Sequence, residues 1–240
     1  MQIRGFIRKS PSLVETLKNG EDCPVCLLCE KDLRHFYRWY FIEYYHDPTW
    51  IVNTLNSGGF CKKHSCDLIH MGKGHEMSLV YDYLVNVTLT RLERVLREIG
   101  KYEHENLFSK IIKEIIDVEY PKEAKKRLQP TEICPICKSI SDSADKWIQD
   151  LLMDLEGEET KELYHSSRGL CMNHFRQALE TASPEAELLL IQKQAEVLKK
   201  LKKDLEEYRR QSDYHCSLEP KGEEQTAWIR AIRFFTGKEL

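Results

Sequence analysis

The stretch Cys23-Pro24-Val25-Cys26 decides how this chain is organised, because it returns as Cys134-Pro135-Ile136-Cys137. A second stretch, Gly59-Phe60-Cys61-Lys62-Lys63-His64, returns as Gly169-Leu170-Cys171-Met172-Asn173-His174. The displacements are 111 and 110 residues, and the cysteines that open the two motifs are 38 residues apart in one copy and 37 in the other. A matched interval is far more specific than a lone Cys-x-x-Cys, so we predict an internally duplicated chain.

The segments around these motifs have helical patterns. The 240 residues include only 11 Gly and 8 Pro, few for an all-β chain with many turns. Residues 78–99 place apolar side chains one helical turn apart, and Ser183-Pro184 is typical of a helix start. We predict an all-α protein with helices over residues 25–46, 50–55, 64–70, 78–99, 107–116, 136–155, 185–214 and 228–235.

The duplication also suggests a division of the chain. Residues 120–131 are charged and contain Pro121 and Pro130, so we interpret them as a linker. This gives a first metal-binding helical half over 1–119 and a second over 132–240, which carries the long C-terminal helices. Each half would contain one metal-binding knuckle at the ends of its helices.

Composition narrows the class of protein and its compartment. The formal net charge is -3 and the isoelectric point is about 6.3, so no global basic field attracts nucleic acid or an anionic membrane. The first 20 residues have neither the apolar core nor the cleavage site of a secretory signal, and no run of about 18 apolar residues could form a membrane span. We predict a cytoplasmic protein, in which nine cysteines indicate metal binding more than disulfides.

The motif spacing matches the ligands of structural zinc. Zinc commonly takes three cysteines and one histidine in a tetrahedron. Cys-x-x-His places its two ligands one helical turn apart, and the preceding glycine allows a sharp turn into that helix. We predict two zinc ions per chain, each held within one half by Cys23, Cys26, Cys61 and His64 or by Cys134, Cys137, Cys171 and His174.

One alternative keeps the same stoichiometry: the halves could exchange their Cys-x-x-His pairs. In either arrangement, three thiolates, a neutral histidine and Zn²⁺ sum to one negative charge. The partial positive charge of helix N-termini would stabilise that charge.

Two further cysteines break the symmetry of the repeat. Cys29 extends the first motif to Cys-x-x-Cys-x-x-Cys, but Ile140 stands at the matching position of the second half. Cys66 likewise matches Arg176. These thiols are either small buried residues or redox-active or extra ligands, and an iron–sulfur cluster in the first half is an open alternative to zinc.

The sequence contains none of the usual catalytic motifs, and four ready ligands leave no open position for catalysis. We therefore predict a non-catalytic zinc-binding scaffold or interaction protein with a protein partner. The alternatives are a thiol-redox or metal-responsive protein and an iron–sulfur electron-transfer protein. Glu223 and Glu224, which precede the last helix, are interpreted as its cap.

With these motifs identified, the chain resembles a prokaryotic family known only as a domain of unknown function. Its members carry Cys-Pro-x-Cys and then Gly-x-Cys-x-x-His twice, as here. Their C-terminal pattern is similar to Gly222-Glu223-Glu224 followed by Trp228 and Ala231. The resemblance spans Cys23 to Gly237 and implies the fold and the metal sites, but no activity.

Overall fold

We describe the fold from a computed structural model of the chain, which describes residues 11–19, 22–105, 126–212 and 220–238. Within these ranges there are ten α-helices and no strands, which confirms the all-α prediction. The helices are α1 (Pro11–Asn19), α2 (Pro24–Tyr40), α3 (Pro48–Asn56), α4 (Lys62–His70), α5 (Gly74–Glu105), α6 (Pro135–Asp154), α7 (Glu158–Ser166), α8 (Met172–Leu179), α9 (Pro184–Gln211) and α10 (Ala227–Thr236). Two 3₁₀ turns span Tyr44–His46 and Glu223–Thr226.

The chain forms two compact units. Unit one consists of the described parts of Met1–Arg34 and Ile140–Leu240, and unit two of those of His35–Ser139. The divisions fall within α2 and within α6. The boundaries of these units differ from those of the predicted halves, 1–119 and 132–240. The halves were defined by repeated motifs, so they remain a prediction that the compact units do not test.

Unit one is built around a core that α1, the start of α2 and most of α6 share with α7, α8 and α9. The apolar residues at helical spacing on these segments are buried, which explains why amphipathic helices assemble here. The members of this core include Leu13, Leu28, Trp147, Leu151, Tyr164, Leu170 and Leu190. The cysteines of the first Cys-x-x-Cys lie in the same core, so the knuckle is part of the packing.

Unit two is held together by aromatic rings at the end of α2. The Phe36 ring packs against Tyr40 and, edge-on, against Trp50, with ring centroids 5.8 and 5.0 Å apart. Tyr44 stacks on Trp50 at 5.1 Å. The chain must turn back to make this stack, so α2 ends at Tyr40, and the predicted continuation of the helix to residue 46 is wrong.

The helix starts largely follow the local sequence signals. Asp47 caps α3 by accepting hydrogen bonds from the backbone N–H groups of Thr49 and Trp50, and Pro48 follows it. Ser183 caps α9 in the same way, which confirms the predicted start. Helices α1 and α7 were not predicted. The predicted helix at 107–116, the first half of the predicted linker and Cys216 lie outside the described residues.

Within the described ranges, no helix combines the length and the apolar character needed to cross a membrane.

Candidate metal centres

The eight predicted ligands come together as two clusters. Cluster one is Cys23, Cys26, Cys171 and His174, in unit one, and cluster two is Cys61, His64, Cys134 and Cys137, in unit two. In each cluster, the four candidate ligand atoms lie within 4.8 Å of one another. The within-half grouping predicted from the sequence is therefore wrong. Each Cys-x-x-Cys meets the Cys-x-x-His of the other half, which is the exchanged arrangement.

The helix lengths are unequal in the same way in both halves. Helix α2 has 17 residues and α3 has nine, which correspond to rises of about 25 Å and about 13 Å. The second half repeats this relation, since the 20-residue α6 precedes the nine-residue α7.

The second ligand pair of each cluster begins a helix in the same way. Cys61 and Cys171 are the N-terminal caps of α4 and α8, with φ and ψ of −65° and 163° in one and −69° and 161° in the other. Each histidine follows in the first turn. The Cys-x-x-Cys pairs lie at the starts of α2 and α6. Each cluster therefore lies at two helix N-termini, where a net negative metal–thiolate centre is stabilised.

Glycine before each Cys-x-x-His is required by the backbone. Gly59 and Gly169 have φ of +105° and +69°, which L side chains rarely adopt. A Cβ at Gly59 would lie 3.2 Å from Leu84 Cδ2, and one at Gly169 would lie 3.2 Å from Gln194 Oε1. The sharp turn predicted from the sequence is therefore confirmed, and close packing adds a second reason for glycine.

The spacing of the donor atoms fits a tetrahedral ion. Zinc with Zn–S bonds of about 2.3 Å and a Zn–N bond of about 2.0 Å holds sulfurs about 3.8 Å apart and sulfur about 3.5 Å from nitrogen. In cluster one, Sγ of Cys26 lies 3.7 Å from Sγ of Cys171 and 3.4 Å from Nδ1 of His174. In cluster two, Sγ of Cys137 lies 3.6 Å from Sγ of Cys61 and 3.4 Å from Nδ1 of His64. Both clusters can therefore hold a metal ion.

Cluster one is deeply buried, and the pKa values of its groups are shifted in opposite directions. All three of its cysteines are buried. Hydrogen bonds with Cys23, Cys26 and His174 hold the pKa of Cys171 far below its ordinary value, whereas burial raises that of Cys23. Burial alone would lower the pKa of His174, but its contacts with Cys171 and Cys26 raise it to about 9. The four groups thus favour a thiolate beside an imidazolium, and a metal ion would take the place of the shared protons.

Cluster two is more open on its cysteine side. Cys61 and Cys137 are only half-buried, whereas Cys134 and His64 are buried. Burial lowers the pKa of His64, which favours the neutral imidazole that a metal needs, and raises the pKa of Cys137 to about 12. Burial acts against the thiolate of Cys61, but hydrogen bonds from the backbone N–H of His64 and from Cys137 lower its pKa.

The C-terminal end of α10 covers cluster one. A Cβ at Gly237 would lie 3.6 Å from Sγ of Cys26 and 3.7 Å from Sγ of Cys171. Asn173 donates a hydrogen bond to the carbonyl of Thr236, and Lys238 forms an ion pair with Glu30 at 2.6 Å. Sequence reasoning missed this cover. The only signal was a glycine two residues after the amphipathic helix predicted at 228–235.

The remaining candidate residues lie outside both clusters. Cys29 is fully buried in the core of unit one, and burial raises the pKa of its thiol to about 12. Cys66 is exposed. Glu223 pairs with Lys200 at 2.9 Å, and the cap of α10 is Thr226, so the interpretation of Glu223 and Glu224 as its cap is wrong.

Comparison with known proteins places the chain in a family without assigning a role. Neither a curated protein nor a solved structure matches it significantly. Residues 10–240, which contain every ligand of both clusters, match the Family of unknown function (DUF6062), and the chain belongs to that family.

Proposed function

We propose that this protein is a zinc-binding helical scaffold in which two structural Cys₃His sites fix the positions of four helix ends. The observation that carries the proposal is that each cluster offers four protein ligands at tetrahedral spacing. A complete set leaves no coordination position for a substrate or a reactive water, unlike catalytic zinc sites with three protein ligands. The metal would thus serve the fold.

Zinc is proposed over an iron–sulfur cluster because the geometry favours a site for a single metal ion. Three cysteines and a histidine around one point suit a single tetrahedral ion. An iron–sulfur cluster in the first half would have drawn on Cys29, but that thiol belongs to the apolar core and to neither cluster. The same placement weakens a redox role centred on the first-half cysteines, since Cys26 and Cys61 belong to different clusters.

A protein partner is the proposed class of ligand for the scaffold. Structural zinc sites contribute directly to folding free energy, about 10 kcal/mol or more in small model sites. A chain that uses two such sites to fix helix ends would present a surface of fixed shape, and this surface is what a protein partner would bind. This part of the proposal rests on the absence of catalytic motifs in the sequence and on the complete ligand sets.

Elemental analysis of protein purified without oxygen tests the metal proposal. We expect two zinc ions per chain in the wild type, one in Cys26→Ser and one in Cys137→Ser. The matched control is Cys66→Ser, which changes an exposed cysteine outside both clusters and should retain two. Iron with absorption near about 400 nm would instead support the iron–sulfur alternative. Retention of two zinc ions in either ligand variant would contradict the proposal.

A further inference from the structure

Unit one contains a cavity of about 540 Å³ beside cluster one. That volume is within the range of small-molecule sites. Part of its wall is apolar, formed by Leu170, Val197, Leu201 and Phe234. The charged part of the wall is dominated by cations, and among the described residues that line it Asp22 and Glu196 are the only ones with carboxylates. The six cations are Arg168, Lys193, Lys200, Arg230, Arg233 and Lys238.

Contacts within unit one hold five of these cations in place. Glu223 pairs with Lys200 at 2.9 Å and with Arg168 at 3.8 Å. Arg230 donates to Asp204 at 2.8 Å and to the carbonyl of Glu223 at 2.9 Å. Arg233 and Lys238 pair with Asp22 and Glu30. The carboxylates of Glu223, Asp204 and Glu30 lie outside the cavity wall, so they offset part of its charge while fixing the cations that line it.

Lys193 is the exception among the six cations. The residue is only 8% exposed, and within the described residues its ammonium donates to the backbone carbonyl of His165. Glu196 lies on the same helix but pairs with the imidazole of His165 at 3.6 Å. A buried ammonium has three donors and is costly without an anionic partner. Burial lowers the pKa of Lys193, an effect that the nearby charge of Glu196 only partly offsets. An anion in the cavity would supply the missing partner.

We propose that this cavity binds a small phosphate ester with an apolar or aromatic portion. A phosphate monoester carries up to two negative charges and three acceptor oxygens, which suit several cations converging from different elements. Guanidinium groups such as those of Arg230 and Arg233, one turn apart on α10, pair with phosphate through two parallel hydrogen bonds. Phe234 and Leu201 provide an apolar surface for the rest of the molecule. Cys23 and Cys171 of cluster one also line the cavity, so the two sites are neighbours, and the cations that would bind phosphate are distinct from the metal ligands.

Calorimetry with phenyl phosphate at constant ionic strength tests this site on the metal-loaded protein. We expect saturable binding by the wild type, a loss of at least tenfold in affinity in Lys193→Met, and no change in Lys199→Met. Lys199 is the matched control, since it lies on the same helix but outside the cavity wall. Because Lys193→Met could unfold, Lys200→Gln provides a second variant at an exposed position of the wall, with a threefold or larger loss expected.

The outcomes separate this proposal from the metal proposal. Zinc content is measured in each sample, so absence of zinc contradicts only the proposed scaffold. The phosphate site is overturned if wild-type protein gives no saturable heat with phenyl phosphate at 10 mM, on the order of the weakest specific affinities. It is also overturned if Lys199→Met loses as much affinity as the wall variants. Succinate that binds as tightly as phenyl phosphate would overturn the preference for phosphate.

Discussion

Clusters one and two have the same donor set but different surroundings. Their capping cysteines have nearly the same backbone angles, and both lie at two helix N-termini. Cluster one is embedded in the main core of unit one and covered by Gly237, whereas Cys61 and Cys137 of cluster two are half-buried. The comparison teaches that a repeated motif specifies the local arrangement of the ligands, while the surrounding chain determines how exposed those ligands are.

The largest difference between the two clusters is expected when a single ligand cysteine is replaced, in cluster one or in cluster two. Cys26 is 1% exposed and belongs to the apolar core, so Cys26→Ser should abolish cooperative unfolding of unit one. Cys137→Ser should destabilise unit two and leave unit one protected. Hydrogen exchange read by mass spectrometry reports the two units separately. If either variant lost protection equally in both units, the idea that each cluster stabilises its own unit would be contradicted.

Metal release should sharpen the comparison next. Zinc transfer to a coloured chelator is expected to be biphasic in the wild type, with cluster two releasing first because two of its thiolates are half-buried. A roughly tenfold separation of the phases corresponds to about 1.4 kcal/mol in activation free energy. Cys137→Ser should lack the fast phase, and Cys26→Ser the slow one. A fast phase that survives in Cys137→Ser would reverse the assignment.

The cover over cluster one provides a more local test. Gly237 has φ of 81° and ψ of 170°, a region that is essentially restricted to glycine and costs other residues about 1–3 kcal/mol. Gly237→Ala should accelerate the slow phase of zinc release and leave the fast phase unchanged. Gly72→Ala is the control, because Gly72 has φ of +68° and open space around it. If both variants change release equally, backbone strain alone explains the effect.

The smallest expected effect concerns one buried hydroxyl in each unit. Tyr37 donates to Asp67 at 2.8 Å in unit two, so Tyr37→Phe should lower the stability of that unit by about 1 kcal/mol. The hydroxyl of Tyr164 in unit one is buried without a hydrogen-bond partner among the described residues, so Tyr164→Phe should be neutral or stabilising. Urea unfolding of each variant measures both. Comparable destabilisation by the two substitutions would show that the hydrogen bonding described for these two hydroxyls is incorrect.

Sequence patterns predicted the helical class because the 78–99 stripe and the helix start at Ser183-Pro184 are local signals. They also singled out the eight residues that form the clusters, since spacing within each pair is local. The within-half grouping of the ligands was wrong, because the contact of Cys23 with His174 joins residues 151 positions apart and local spacing does not specify it. The cover by Gly237 was missed, since contact across more than 200 residues leaves no trace in the spacing.

The exchanged ligand pairing also sets an order of assembly during synthesis. The four ligands of cluster two span residues 61–137, and those of cluster one span residues 23–174. The later-completed set therefore encloses the earlier one along the chain. A ribosome adds about 5–20 residues per second, so Cys26 is translated on the order of 10 s before His174. During that interval the thiol of Cys26 lacks the other half of its ligand set. Cluster one, the more deeply buried of the two ligand clusters, is thus the last to have all of its ligands translated.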